Sequence, residues 1–280
     1  MNSAKMMRNT LMLSAAILMA VTGCRKDKDE TDTDTGSALD NSFAEATYND
    51  AATIADQAAI NGTVTTYRNI SDGPELLSTC ATVTHDSTAV PKVVTIDFGT
   101  ANCLCLDNRY RRGKIIVTYT GAYRDSGMTH TISFDNYYVN DYHIEGTKTV
   151  TNMGTNTSGN VWFDIDVTGT ITATTGQVLT WTSSRVREWI SGYNTQIWSD
   201  DVYEITGSAS GTSFTGNSFT ATILSPLVIA LDCRWIKDGT LEFSPSGKLK
   251  RTIDYGYPGG GCDKYAQVTI GNGTYVIELR

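Results

Sequence analysis

Residues 179–190, LTWTSSRVREWI, carry the densest chemical pattern in the chain. At the two-residue period of a strand, Trp181, Ser183, Arg185, Arg187 and Trp189 share one side. Two indoles bracketing two guanidiniums can stack on a sugar or grip an anionic glycan, and the same row also serves as a cation-π ladder that keeps a wide sheet face soluble. Trp198, with Asp200 and Asp201 beside it, extends that face. In NDYHIEG, residues Asp141, His143 and Glu145 alternate, so a strand would point a carboxylate, an imidazole and a carboxylate the same way. That set suits a metal or an acid-flanked base, and equally a solvated polar edge behind a buried Tyr142 and Ile144. The turn NRYRRGK gathers Arg109, Arg111, Arg112 and Lys114 around Tyr110, which fits a solvated basic hairpin or contact with lipid phosphates.

No GxSxG, HExxH, GxGxxG or Walker-type loop occurs, so no catalytic residue and no cofactor are expected. Asp164 with Asp166, and Asp200 with Asp201, are carboxylate pairs of the kind glycoside hydrolysis uses, but nearness in sequence does not set a separation across a cleft. Five cysteines beyond Cys24 remain: Cys80, Cys103, Cys105, Cys233 and Cys262. In an oxidising compartment disulfides are expected, Cys233 with Cys262 and Cys80 with Cys103 or Cys105, leaving one thiol unpaired. A zinc site from Cys80, His85, Cys103 and Cys105 lacks paired CxxC knuckles, and no metal is expected. Calcium at Asp32 and Asp34 lacks the full loop and its terminal glutamate.

These residues need an address and a scaffold. Lys5 and Arg8, an apolar run from Leu11 to Val21 and then Thr22-Gly23-Cys24 form a secretory signal layout whose run is too short to span a bilayer. The polar stretch that follows cannot bury enough apolar surface to fold. The expected organisation is a signal peptide at 1–23, a flexible acidic tether at 24–37, a helical segment at 38–62 and an all-β domain at 63–280. Net charge is −8, and without residues 1–23 it becomes −10, with 20 basic residues against 30 acidic ones, which argues against nucleic acid as a partner.

From Ala38 to Ile60 the chain is rich in helix formers with a narrow, Ala-rich apolar face suited to packing on a sheet. After about residue 78 the period falls to two. In NVWFDIDVTGTIT, Val161, Phe163, Ile165, Val167 and Ile171 oppose Trp162, Asp164, Asp166, Thr168 and Thr170, the pattern of an antiparallel strand with one wet face. Similar runs recur to the C-terminus, including separate strands at 217–224 and 227–236. The predicted fold is all-β, an antiparallel meander of about a dozen long strands forming a curved sheet, sandwich or open barrel, with the helix on one face or end. Glycines in IEGTKTV, VTGTITA, ITGSASG, KDGTLEF and GNGTYVI mark bends or bulges in those strands.

The segment Val21-Thr22-Gly23-Cys24 resembles the lipobox of bacterial lipoproteins, which implies a diacylglyceryl group on Cys24 and durable anchoring through several acyl chains. The charged run after it resembles the export signals of surface lipoproteins of the Bacteroidota. The stretches DFGTANCLCLDNRYRRGKIIVTYTG, VNDYHIEGTKTVTN, SDDVYEITG, ALDCRWIKDGTLEFSPSGK and IDYGYPGGGCD look like an uncharacterised family of exported lipoproteins in that phylum. Asp86-Ser87-Thr88 matches the short O-glycosylation pattern of such proteins, which makes Ser87 a glycosylation candidate. The resemblance implies the outer membrane, on its periplasmic or extracellular side, and no activity. The expected role is a non-catalytic binding or envelope-structural module whose partners are the membrane, through its acyl chains, and a glycan or other envelope component. The alternatives are a lipid or lipoprotein carrier with a half-barrel cavity, and a hydrolase whose residues converge only in three dimensions.

Overall fold

The computed structural model describes residues 32–61, 65–66, 75–76, 81–105, 107–122, 124–195 and 197–279. The segment expected as a signal peptide, Cys24 and Cys80 lie outside them. One helix, α1 (Gly36–Asn61), precedes sixteen strands: β1 (Thr65–Thr66), β2 (Glu75–Leu76), β3 (Thr82–Asp86), β4 (Lys92–Asp97), β5 (Cys103–Leu104), β6 (Tyr110–Tyr119), β7 (Thr129–Val139), β8 (Tyr142–Thr155), β9 (Val161–Thr172), β10 (Val178–Ser191), β11 (Val202–Thr212), β12 (Ser218–Ala230), β13 (Asp238–Pro245), β14 (Arg251–Asp254), β15 (Tyr265–Ile270) and β16 (Gly273–Glu278). β1 and β2 form a small ladder of their own, and the other 14 strands make one antiparallel meander in chain order, with β5 paired beside β6. The sheet does not close on itself.

That sheet curls round the helix. Ser42 Oγ meets Tyr255 Oη at 2.7 Å, just after β14, while Asp50 accepts from Arg111 of β6 at 2.8 Å. Those helix residues are about 12 Å apart along the axis, whereas eight strand steps across a flat sheet would cover roughly 38 Å. Asp40, Glu45 and Asp50 make the same point, since steps of five residues rotate a helix by about 140°. Each still finds a partner, Asp40 at Phe214 in the β11–β12 turn, Glu45 at Arg185 of β10 and Asp50 at Arg111 of β6. No residue of α1 from Gly36 to Ala55 is exposed. Ala38, Ala44, Ala51, Ala52, Ala55 and Ala58 are all buried, and their small size lets the strands approach on every side. The helix does cover one face, as expected, and that face is concave: the open sheet curls round α1.

The inner face is mostly apolar, with buried polar groups that include Arg185, which holds α1, and Arg187, Asn152 and His130. Phe163, Ile165, Val167, Ile171 and Leu179 point inward, and Thr147, Thr168, Thr182, Ser210 and Thr220 stand directly opposite one another in a row across β8 to β12 on the outer face. A second outer row runs Thr149, Asp166, Ser184, Ser208 and Thr222. A barrel spanning a bilayer needs an apolar outer band, and these central strands present hydroxyls and carboxylates there instead. Among the described residues no helix is long and apolar enough to cross a membrane.

Some boundaries differ from the sequence expectation. The predicted strands 217–224 and 227–236 are one bulged strand up to Ala230, whose register with β13 shifts between Ile223 and Ser225 and again before Val228. Pro226, unable to donate to a ladder, sits in that irregularity and makes one strand look like two. The expected bulge glycines are clearest at Gly207, φ 114°, where the β11–β12 register shifts. A Cβ there would lie 2.3 Å from Ser184 O, so only glycine fits. Within the segment expected as tether, Asp32 and Asp34 are bound to the sheet by Arg251 and Lys248.

Candidate functional site

The row Trp181, Arg185, Arg187 and Trp189 does share one side of β10, but that side faces α1 and not solvent. Trp181 stacks on Tyr48, with ring centroids 5.7 Å apart and planes 6° from parallel, and its Nε1 donates to Asn41 Oδ1 at 3.0 Å. Arg185, 3% exposed, donates to Glu45 at 2.6 Å. Arg187 lies over the rings of Phe163 and Tyr203, at 4.7 and 4.6 Å. The row is therefore not an open glycan platform: a helix about 140 residues away in sequence already occupies it. Burying a guanidinium requires a close anionic partner, and Glu45 supplies one.

The basic turn is corrected in the same way. Arg111 is fully buried and donates to Asp107 at 2.8 and 2.6 Å and to Asp50 at 2.8 Å, with Arg109 adding a 3.0 Å pair to Asp50. Burial pushes the Asp50 carboxyl up, but the Arg111 and Arg109 guanidiniums outweigh it and hold the group below the usual carboxylate range. Arg112 stacks over Tyr138 at 3.7 Å and pairs with Asp141. Lys114 pairs with Asp97 at 3.5 Å. None of the four cations is left as a free patch for lipid phosphates.

Asp141, His143 and Glu145 do not converge. Asp141 turns away in a left-handed conformation, φ 64°, to meet Arg112 and Asn102, while His143 stacks on Tyr138 at 4.5 Å and lies 3.5 Å from Glu145. Among the described residues no group of three metal-ligand side chains gathers. Asp164 and Asp166 point outward two residues apart on β9. Ser87 is exposed on the β3–β4 turn, where Asp86 Oδ1 accepts from the Thr88 and Ala89 amides. Cys233 and Cys262 are bonded, as expected from sequence, with Cα atoms 5.6 Å apart. Cys103 is also disulfide-bonded, to a partner outside the described residues, and Cys105 is a buried free thiol whose ionisation burial suppresses.

Among the described residues, a concavity lies at the far end of β10. Residues 159–161, from the β8–β9 turn, form one bank, and residues 189–195 form the other, round a space of about 180 Å³. Asn160 Nδ2 donates to Glu188 at 2.7 Å and fixes the first bank against β10. The second bank is braced from outside by Arg124, which donates to Tyr193 O at 2.5 Å and to Thr195 O at 3.3 Å and lies 5.0 Å from the rings of both Trp189 and Tyr193. Those rings meet edge-on at 89° and 5.0 Å. Two carboxylates stand behind the loop. Asp200 accepts from Thr195 Oγ1 at 2.9 Å, and Asp201, 6% exposed, packs against Gly192, where a Cβ would lie 2.2 Å from its Oδ1. Burial, and then the neighbouring Asp200 charge, push the Asp201 carboxyl up to about 7, against the pull of Arg124, Trp189 and Arg187.

Sequence reasoning placed Trp189, Asp200 and Asp201 near one another but missed Arg124, Asn160 and Tyr193. The glycine and asparagine content of TSGNV and SGYNT was the available signal. No family model, no curated protein and no solved structure matches the chain.

Proposed function

We propose that the chain is a lipid-anchored lipoprotein of the outer membrane, held through acyl chains on Cys24, whose folded body is a rigid, non-catalytic binding module for an envelope component. The observation that carries this reading is the distribution of polarity. The apolar interior is filled by α1 and the outward rows on the central strands are Thr, Ser and Asp, so the body offers those strands to water and leaves attachment to the N-terminus. The carrier alternative needs an interior open to lipid, and the helix that fills this one is tied by Glu45, Asn41, Ser42 and Asp50. For the hydrolase alternative, Asp164 and Asp166 stand two residues apart on one strand, and Asp200 and Asp201 stand behind the loop rather than facing the cleft.

Metabolic labelling with an alkyne fatty acid tests the anchor. The wild type should take up label and sediment with outer membranes, and Cys24→Ser should lose the label and appear in the soluble fraction. Label retained by Cys24→Ser would remove the anchor from the proposal.

A further inference from the structure

We propose that the cleft between residues 159–161 and 189–195 binds one neutral sugar ring. The inference rests on the envelope-binding reading above and gives its ligand a chemical class. Three properties of the cleft carry it.

Its size excludes a long occupant. A space of about 180 Å³ is below the roughly 300 Å³ at which pockets for drug-sized ligands begin, and it admits one ring. Its lining excludes a charged one. No charged side chain faces the space, and Arg124, Asp200 and Asp201 stand behind the walls, engaged with Tyr193, Thr195 and Gly192. Desolvating an ionic ligand there, with no opposite charge to receive it, would cost more than such a site can return.

Its chemistry is two-sided. The half-buried ring of Tyr193 and the exposed Ile190 supply apolar surface, and Asn160, Ser191, Asn194 and Thr195 supply uncharged amide and hydroxyl groups on the rim. A pyranose ring has that double character: an axial C–H face that packs on aromatic carbon and equatorial hydroxyls that both donate and accept. Bracing by Arg124 and Asn160 holds both banks before the ligand arrives, which lowers the ordering cost of binding.

The test uses the full chain, ¹⁵N-labelled, in a zwitterionic detergent that carries no sugar. Methyl glycosides of glucose, galactose, mannose and N-acetylglucosamine are titrated in turn while the amides of residues 191–195 are followed, with glucuronate and glucosamine as charged comparisons. At least one neutral glycoside should shift these amides saturably, and Tyr193→Ala and Asn194→Ala should each weaken it at least fivefold. Thr220→Ala, on the outer face away from the cleft, should leave the affinity unchanged. No saturable shift with any neutral glycoside, a response to the charged sugars alone, or unchanged affinity in both loop variants would overturn the assignment. Sugar binding that persists while Cys24→Ser stays lipidated would refute the anchor and leave the cleft standing. Correct anchoring with no sugar response would refute the cleft alone.

Discussion

Single side chains in this protein are set by what lies behind them as much as by what they face. Asp201 is a buried acid whose carboxyl is pushed up to about 7, against an unfolded value near 3.9. Its contribution to stability is therefore complete below about pH 4 and is lost as pH rises through 7, when the fold must hold a second charge beside Asp200. Asp201→Asn keeps an acceptor for Trp189 and removes the charge. Urea unfolding at pH 8 should find the variant more stable by up to about 4 kcal/mol, with the difference gone near pH 4. Equal stability at pH 8 would show that Asp201 ionises in the fold without penalty. Arg185 and Glu45 are the opposite case, a buried pair at 2.6 Å. Glu45→Ala leaves an uncompensated guanidinium in the core and should cost about 3–5 kcal/mol, whereas Glu45→Leu with Arg185→Met should cost much less. Thermal unfolding of the three proteins separates them, and equal losses would mean that packing and not charge holds the site.

Helix α1 is the element on which the architecture turns. If it is a structural plug, the amides of residues 44–55 should exchange with deuterium as slowly as those of β9 and β10, because releasing the helix breaks the same packing that global unfolding breaks. Exchange of the helix far ahead of those strands would mark it as a detachable lid and revive the carrier reading. How much of this was legible in the sequence depends on the range of the interaction. The inward direction of the row on β10 was not readable, whereas the two-residue period of β9 and β10 and the shared side of Trp181, Arg185, Arg187 and Trp189 are local and were readable. So was the pairing of Cys233 with Cys262, since only a few cysteines compete for it. The position of α1 was not, because its signal is distributed. Asp40, Glu45 and Asp50 wind round the helix and read as solvated positions until a sheet is placed on every side. Arg111 looked like surface for the same reason: its partner Asp50 lies 61 residues upstream in a segment of different periodicity. The cleft was illegible because its banks come from two turns more than 25 residues apart, each ordinary alone.

At the scale of the whole molecule, the fold resembles a sheet rolled round a rod, and such an object needs the rod fixed at both ends. Asp50, bound by Arg109 and Arg111, ties α1 to β6. The other end is held before the helix begins. Arg251, fully buried on β14, donates to both carboxylate oxygens of Asp32 at 2.9 and 3.0 Å and to Asp34 O at 2.9 Å, while Lys248 pairs with the Asp34 side chain. The Asp34 carboxylate also accepts from Gly36 N at 2.8 Å, satisfying one of the amides that a helix start leaves open. The hydrogen bond from Lys248, followed by that amide, holds the Asp34 carboxyl below its ordinary range. Residues 32–35, expected as plain tether, are thus bound into the fold. Two truncations distinguish these roles. A chain starting at Asp32 keeps both carboxylates and should unfold at the same urea midpoint as one starting at Cys24. A chain starting at Gly36 strands the Arg251 guanidinium in the interior and should lose about 3–5 kcal/mol, the usual cost of one orphaned member of a buried pair. Arg251→Met in the shorter chain should recover part of that loss, since the charge that lacks a partner is then gone. If the two truncations unfold together, residues 32–35 add nothing to the body, and the fold begins at the helix.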